Sequence, residues 1–185
     1  MKPRSLLLAL ALALLPLACG ATGGARRFPS LTEHAPRARE FDVLAYRIEL
    51  ELLPETRSIQ ACCRVRLRAL GHALDTVRLD LVGLAVQDAR DERGRALSFT
   101  RSAGELVLEL AAPLAPQAET ELAIRYGGSP ERGLWFAGRR ADGSGPTLVF
   151  SHGQTQGSRG WFPCFDEPSE RATAELTLTM PATWT

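Results

Sequence analysis

The feature that most constrains this chain is a period-two alternation of apolar and polar residues that runs through nearly its whole body. Tyr46, Ile48, Leu50 and Leu52 alternate with Arg47, Glu49 and Glu51. In the next segment Ile59, Ala61, Cys63, Val65 and Leu67 alternate with a wet face carrying Arg64, Arg66 and Arg68. Successive side chains of a strand point to opposite faces, so this pattern fits a half-buried sheet and not a helix. Pro54-Glu55-Thr56-Arg57 separates the two runs and predicts an antiparallel hairpin. Further strand-like segments follow at short spacing: 76–82, 84–89, 96–100, 105–110, 119–126, 147–151 and 172–180. Asp91-Glu92-Arg93-Gly94 and Ser102-Ala103-Gly104 supply turns between them. Many short strands joined by tight turns predict an all-β fold, an antiparallel β-sandwich or saddle-shaped double sheet.

The ends of the chain differ from its body. Met1-Lys2-Pro3-Arg4 is basic, an apolar run extends from Leu6 to Leu17, and Ala18-Cys19-Gly20 follows. A basic start, a short apolar run and a small residue at the cut site predict a secretory signal peptide over 1–18. The run is shorter than the roughly 20 residues that span a bilayer. Ala18-Cys19-Gly20 also resembles a bacterial lipoprotein cleavage site, which would make Cys19 the lipidated first residue and anchor the protein to a membrane. Pro16 stands where such sites usually carry an aliphatic residue, and an ordinary secretion signal is the alternative. Both readings place the protein outside the cytoplasm. Residues 19–40 hold small residues, arginines and prolines without an apolar period, as a flexible lead or tether does. Residues 41–185 form the remaining unit, about 145 residues, enough for one domain with a substantial core.

Formal net charge is +1 with no run of like charges, which argues against a nucleic-acid partner. Of the four cysteines, Cys19 belongs to the leader boundary, and Cys62 and Cys63 are adjacent and face opposite ways on a strand. Cys63 and Cys164 read as packed thiols rather than as a disulfide framework.

Alternation stops at Gly153-Gln154-Thr155-Gln156-Gly157-Ser158-Arg159-Gly160-Trp161-Phe162-Pro163-Cys164-Phe165-Asp166-Glu167-Pro168. Glycines, an amide pair, three aromatics and an Asp-Glu-Pro turn are compressed there into one loop, and loops of this composition on a rigid scaffold commonly carry function. Adjacent Asp166 and Glu167 are poorly placed to divide acid and base roles. Pro168 biases Glu167 toward extended backbone, and a carboxylate here can pair with Arg159 or Arg171. Trp161, Phe162 and Phe165 read as core or interface anchors.

This stretch closely resembles the signature near the end of the amino-terminal domain in the aminopeptidase N family of zinc peptidases, which includes the leukotriene-hydrolase relatives. The family pattern is Gln-x-Glu or Gln-x-Gln, then Arg, then aromatic-Pro-Cys-x-Asp-Glu-Pro. Gln154, Arg159, Phe162-Pro163-Cys164 and Asp166-Glu167-Pro168 fall on it without a gap. The resemblance extends upstream through Leu53 to Ile59, Leu79-Asp80-Leu81, Arg125 to Gly128 and Arg132 to Ala137. It implies the saddle-shaped β domain of that family, within an enzyme that removes amino-terminal residues from peptides. It also implies that a catalytic domain would follow Thr185, so the chain is expected to be cut off before it.

The family's metal site needs two imidazoles one helical turn apart, with a Glu between them to activate water. His34, His72 and His152 have no such spacing, and the His-Glu-x-x-His and Gly-x-Met-Glu-Asn motifs are absent. This chain is therefore expected to hold no metal or other cofactor and no catalytic residue, with zinc entering only in a complete enzyme. The resemblance instead implies that Gln154 helps to hold the free amino group of a peptide substrate. His152 replaces the family's first Gln, and Gln156 is a rival by composition that the spacing disfavours. The alternative reading is a stand-alone, non-catalytic lipoprotein binding module.

The leader carries its own test. Mature protein extracted from membranes should begin at Cys19 and bear lipid, as measured by intact mass. An unmodified chain cut elsewhere rejects the lipoprotein reading and leaves export standing.

Overall fold

The computed structural model describes residues 37–102, 104–138 and 148–182. The leader over 1–18, Cys19, most of the expected lead and Thr147 lie outside the described residues. Among the described residues ten strands and one short 3-10 turn make up the regular structure, so the all-β class is what the alternation predicts. Strands β1 (Phe41–Leu53) and β2 (Ser58–Ala69) form the expected hairpin. Thr56 and Arg57 donate their backbone N–H groups to the carbonyls of Leu53 and Pro54, and Arg57 adopts positive φ to close the turn.

Strands β3 (Leu74–Asp80), β4 (Ala85–Arg90), β5 (Phe99–Arg101), β6 (Glu105–Leu114) and β7 (Glu119–Gly128) follow. The chain then forms β8 (Leu134–Ala137), β9 (Leu148–Ser151), a 3-10 turn at Ser158–Gly160, and β10 (Thr173–Thr179). A five-stranded sheet has the order β10-β1-β2-β7-β4, a three-stranded sheet the order β3-β6-β5, and β8 and β9 form a small third sheet.

The buried faces of the two larger sheets share one core. Ile59, Cys63, Val65 and Leu67 of β2 contribute to it with Leu122, Ile124 and Tyr126 of β7, and Val77, Leu79, Leu106 and Leu108 of the three-stranded sheet close it from the other side. Cys63 and Cys164 are buried and free, as packed thiols. Burial pushes the Cys63 thiol well above the ordinary thiol range. On the wet face Arg66 and Arg68 converge on Glu119 of β7, and their hydrogen bonds lower its carboxyl pKa.

Three features depart from the sequence expectation. A register shift between Val43 and Ala45 inverts the phase of β1: Phe41 and Val43 face the core before it, Tyr46, Ile48 and Leu50 after it. One extra residue flips every later side chain, so a bulge is the only way both apolar sets can be inside. The sequence predicts no strand at β8, because four residues are too few to show a period; its pairing with β9 and the stacked rings of Trp135 and Phe150 establish it. β10 lies parallel to β1, the one parallel pair in an otherwise antiparallel set of described strands. No hairpin links these two strands, so turn geometry does not dictate their relative direction.

Leu67 is fully buried, whereas Arg64 faces water and makes only a loose contact, 3.6 Å, with Glu49. Leu67→Ala should cost about 2–5 kcal/mol of unfolding free energy, and Arg64→Ala no more than about 0.5 kcal/mol. Urea titration of the two variants checks the contrast.

Candidate functional site

The loop between β9 and β10 is seated on the rest of the domain by backbone contacts at one end and by charge at the other. His152 donates its backbone N–H to the Gly133 carbonyl at 2.9 Å, and the Gly157 N–H returns to the Gly153 carbonyl at 3.1 Å. Thr155 and Gln156, between them, both take positive φ, 48° and 62°. The left-handed region is costly for L-residues, so the tight turn at 153–157 is held by its surroundings. Those surroundings admit no side chain at two points. A Cβ on Gly133, which has φ +77°, would fall 1.9 Å from the Gly157 carbonyl oxygen, and one on Gly160 would fall 2.3 Å from that of Arg132. Arg132 also donates from Nη2 to the Gln156 carbonyl at 3.2 Å.

The far end is fixed by Asp80, a buried carboxylate at the end of β3. Its two oxygens accept from Arg37 Nη1 and Nη2 at 3.2 and 2.9 Å. Oδ2 also accepts the backbone N–H of Asp166 at 2.9 Å, and Arg159 Nη1 stands 3.5 Å from Oδ1. Asp80 and Cys164 exchange both backbone hydrogen bonds, at 2.7 and 3.1 Å. Arg159 in turn grips Asp166: Nε and the backbone N–H donate to Oδ2 at 3.1 and 3.2 Å, and Nη2 donates to the carbonyl at 3.1 Å. The Arg159–Asp166 pairing agrees with the sequence reading. Two guanidinium groups and two carboxylates thus offset one another, which a half-buried set of charges requires.

Aromatic packing completes the seat. The Tyr46 hydroxyl accepts the Phe165 N–H at 3.0 Å. Phe165 meets Phe41 edge-on, Phe162 meets Tyr46 and Trp161 in the same way, and the Arg37 guanidinium lies 4.2 Å over the Phe165 ring. Burial, and then the proximity of Cys164, hold the Tyr46 phenol far above its ordinary range, so it stays neutral. Cys164 is likewise raised, by burial first and then by the Asp166 and Asp80 carboxylates, and remains an unreactive thiol.

Against this frame Gln154 is exposed at the tip of the 153–157 turn, Gln156 is half-buried, and His152 is exposed. Gln154 carries an amide whose oxygen accepts and whose nitrogen donates, on a turn closed by the Gly157–Gly153 hydrogen bond. Among the described residues no group of three or more His, Cys, Asp or Glu side chains could hold a metal ion. Sequence reasoning missed Asp80, Arg37 and Tyr46 as supports of the loop. Arg37 falls within the expected lead, and Asp80 sits where a polar residue ends an apolar strand, so neither position advertises a partner far along the chain.

Comparison with known proteins follows the same outline. The model of the peptidase M1 N-terminal domain matches residues 43–185. Aminopeptidase Q of Acinonyx jubatus and that of Felis catus are each 36% identical over 77 residues, covering 40% of this chain and 8% of theirs. The M1 zinc metallopeptidase of Deinococcus radiodurans superposes with a TM-score of 0.67 at 26% identity, covering 79% of this chain and 34% of that one. Yeast LTA4 hydrolase, solved with bestatin, shares the fold at a TM-score of 0.63 and 24% identity, over 77% of this chain and 24% of its own. The chain thus spans about a third of the Deinococcus enzyme's length and under a tenth of the aminopeptidase Q relatives'. With most of its length on the family model, and with the β architecture and pinned loop described above, this chain belongs to the peptidase M1 family, as its N-terminal domain.

Proposed function

We propose that this chain supplies one wall of the substrate pocket of an exported M1 zinc aminopeptidase, in which Gln154 accepts a hydrogen bond from the amino-terminal ammonium of a peptide. The observation that carries the reading is the placement of Gln154: an exposed amide on a turn anchored to Gly133 on one side and, through Arg159 and Asp166, to Asp80 on the other. A solved form of the Deinococcus metallopeptidase binds a Tyr-Ser-Ala substrate, and a peptide with a free amino terminus suits an acceptor held in this way.

An amide oxygen carries a partial charge, so it anchors an ammonium group less strongly than a carboxylate would. Its value lies in position: a group held rigidly loses little freedom when the substrate arrives. Zinc and the groups that act on the peptide bond belong to the catalytic part of the complete enzyme, which is this domain's partner. Export, and the lipid anchor at Cys19, rest on the leader sequence.

Three outcomes test the proposal. The chain alone should hold no stoichiometric zinc and hydrolyse no aminoacyl arylamide; metal analysis finding one tightly bound zinc, with chelator-sensitive turnover, overturns the division of labour. When the domain is joined to the catalytic part of a close M1 relative, Gln154→Ala should weaken transition-state binding by about 1.5–3 kcal/mol, the range for hydrogen bonds to a charged group. Gln154→Glu should preserve or raise kcat/KM, and Gln156→Ala should change it little; equal, small effects at both glutamines reject the role. Finally, Asp80→Ala removes both hydrogen-bond acceptors of Arg37 and the carboxylate that receives the Asp166 N–H, and should cost about 3–5 kcal/mol of stability. It should also raise amide hydrogen exchange across 158–166 before the β2–β7 core is affected.

A further inference from the structure

The backbone strain of the β9–β10 loop is concentrated directly behind Gln154. Among the described residues Thr155 and Gln156 are the one adjacent pair with positive φ. Residues other than glycine visit the left-handed region singly as a rule, and a β-branched residue such as Thr is the least suited to it. Glycine would remove the cost, yet the glycines stand on either side, at 153 and 157. Strain of this kind persists only where the surroundings over-determine it, and it gathers at functional sites.

The surroundings converge on Arg132. Pairing of β8 with β9 sets Leu134 opposite Ser151, and the Gly133 carbonyl accepts the His152 N–H at 2.9 Å, so Arg132 falls beside the turn. Two glycines clear its path. A Cβ on Gly160 would lie 2.3 Å from Arg132 Cγ, and one on Gly157 would lie 2.5 Å from the His152 carbonyl oxygen. With its stem laid over Gly160, Arg132 donates from Nη2 to the Gln156 carbonyl at 3.2 Å. Among the described residues no other side chain donates to the backbone of 153–157. A charged donor on a carbonyl holds more firmly than a neutral one.

We propose that Arg132 is a positioning residue for amine recognition: by holding the Gln156 carbonyl it keeps Thr155 and Gln156 left-handed, and so sets the direction in which the Gln154 amide is presented. Arg132 itself touches no substrate in this arrangement. Without its grip the pair relaxes toward ordinary backbone, and Gln154, the residue before it, swings away. The use of that amide by a substrate rests on the pocket reading above; the hold on the turn does not.

Hydrogen exchange followed by NMR on the full chain tests the hold. Arg132 is exposed, so its variants leave the core intact. The Gly157 N–H closes the turn on the Gly153 carbonyl at 3.1 Å. Arg132→Met keeps the stem over Gly160 and removes the donor; it should speed Gly157 exchange by about tenfold or more and leave Cys63 and Ile124, paired in the core, unchanged. Arg132→Lys should recover most of the protection, because the contact uses one N–H and not the planar fork. In the domain joined to the catalytic part of a close M1 relative, Arg132→Met should lower kcat/KM for an aminoacyl arylamide by roughly three- to tenfold, less than Gln154→Ala does, and should add nothing once residue 154 is alanine. Unchanged Gly157 exchange in Arg132→Met overturns the proposal. So does a loss of kcat/KM that is the same with and without Gln154, which marks a general structural part. Faster Gly157 exchange together with a silent Gln154→Ala upholds the hold on the turn and rejects the pocket reading instead.

Discussion

The structure depends on one buried carboxylate. Asp80 ends β3, at the rim of the three-stranded sheet, and its carboxylate and backbone gather distant parts of the chain: Arg37 ahead of β1, and Arg159, Cys164 and Asp166 beyond β9. A charge removed from water is tolerated only when its lone pairs are filled. Filling them at Asp80 fixes the approach to the first strand and the exit from the last loop at a single point. Uncharged packing could hold the same pieces near one another, but it would not fix their orientation so narrowly; the two-toothed grip of Arg37 is a planar, directional contact.

The aromatic residues of the loop serve the same end by another means. Phe162, Phe165 and Trp161 fill the space between the loop and β1, and the Tyr46 hydroxyl spends its acceptor capacity on a loop amide. Burial keeps that phenol neutral, so it serves the loop amide as an uncharged acceptor.

The fold was legible where side-chain patterning is local. The β1–β2 hairpin, its turn and the buried face of β2 follow from alternation alone, because each depends on residues close together in the chain. The phase change at Val43–Ala45 lay beyond that reading, since a bulge is visible only when the partner strand supplies the register. β5 begins at Phe99, later than the alternation from Ala96 suggests, because Ala96 is diverted into a bridge with Arg90. In the loop, the Arg159–Asp166 pair was readable from the motif. Asp80 belongs to the family pattern but carries no role there, because its partners lie 43 and 86 residues away and nothing local shows that a strand-end aspartate will be buried.

The parallel union of β1 and β10 has a kinetic side. Thr173 reaches the Leu44 carbonyl across 129 residues, so β1 gains this partner in the sheet only after β10 has arrived. Closing so long a loop brings its reward late, and long-range pairings of this kind are the slow steps of folding. While the chain emerges amino terminus first, the outer side of β1 is a vacant template with Ile48 and Leu50 beside it. The hairpin must wait in that condition through the synthesis of every intervening strand. A chain that folds only after it has left the cytoplasm would be spared the wait, since β10 would then be present when folding begins.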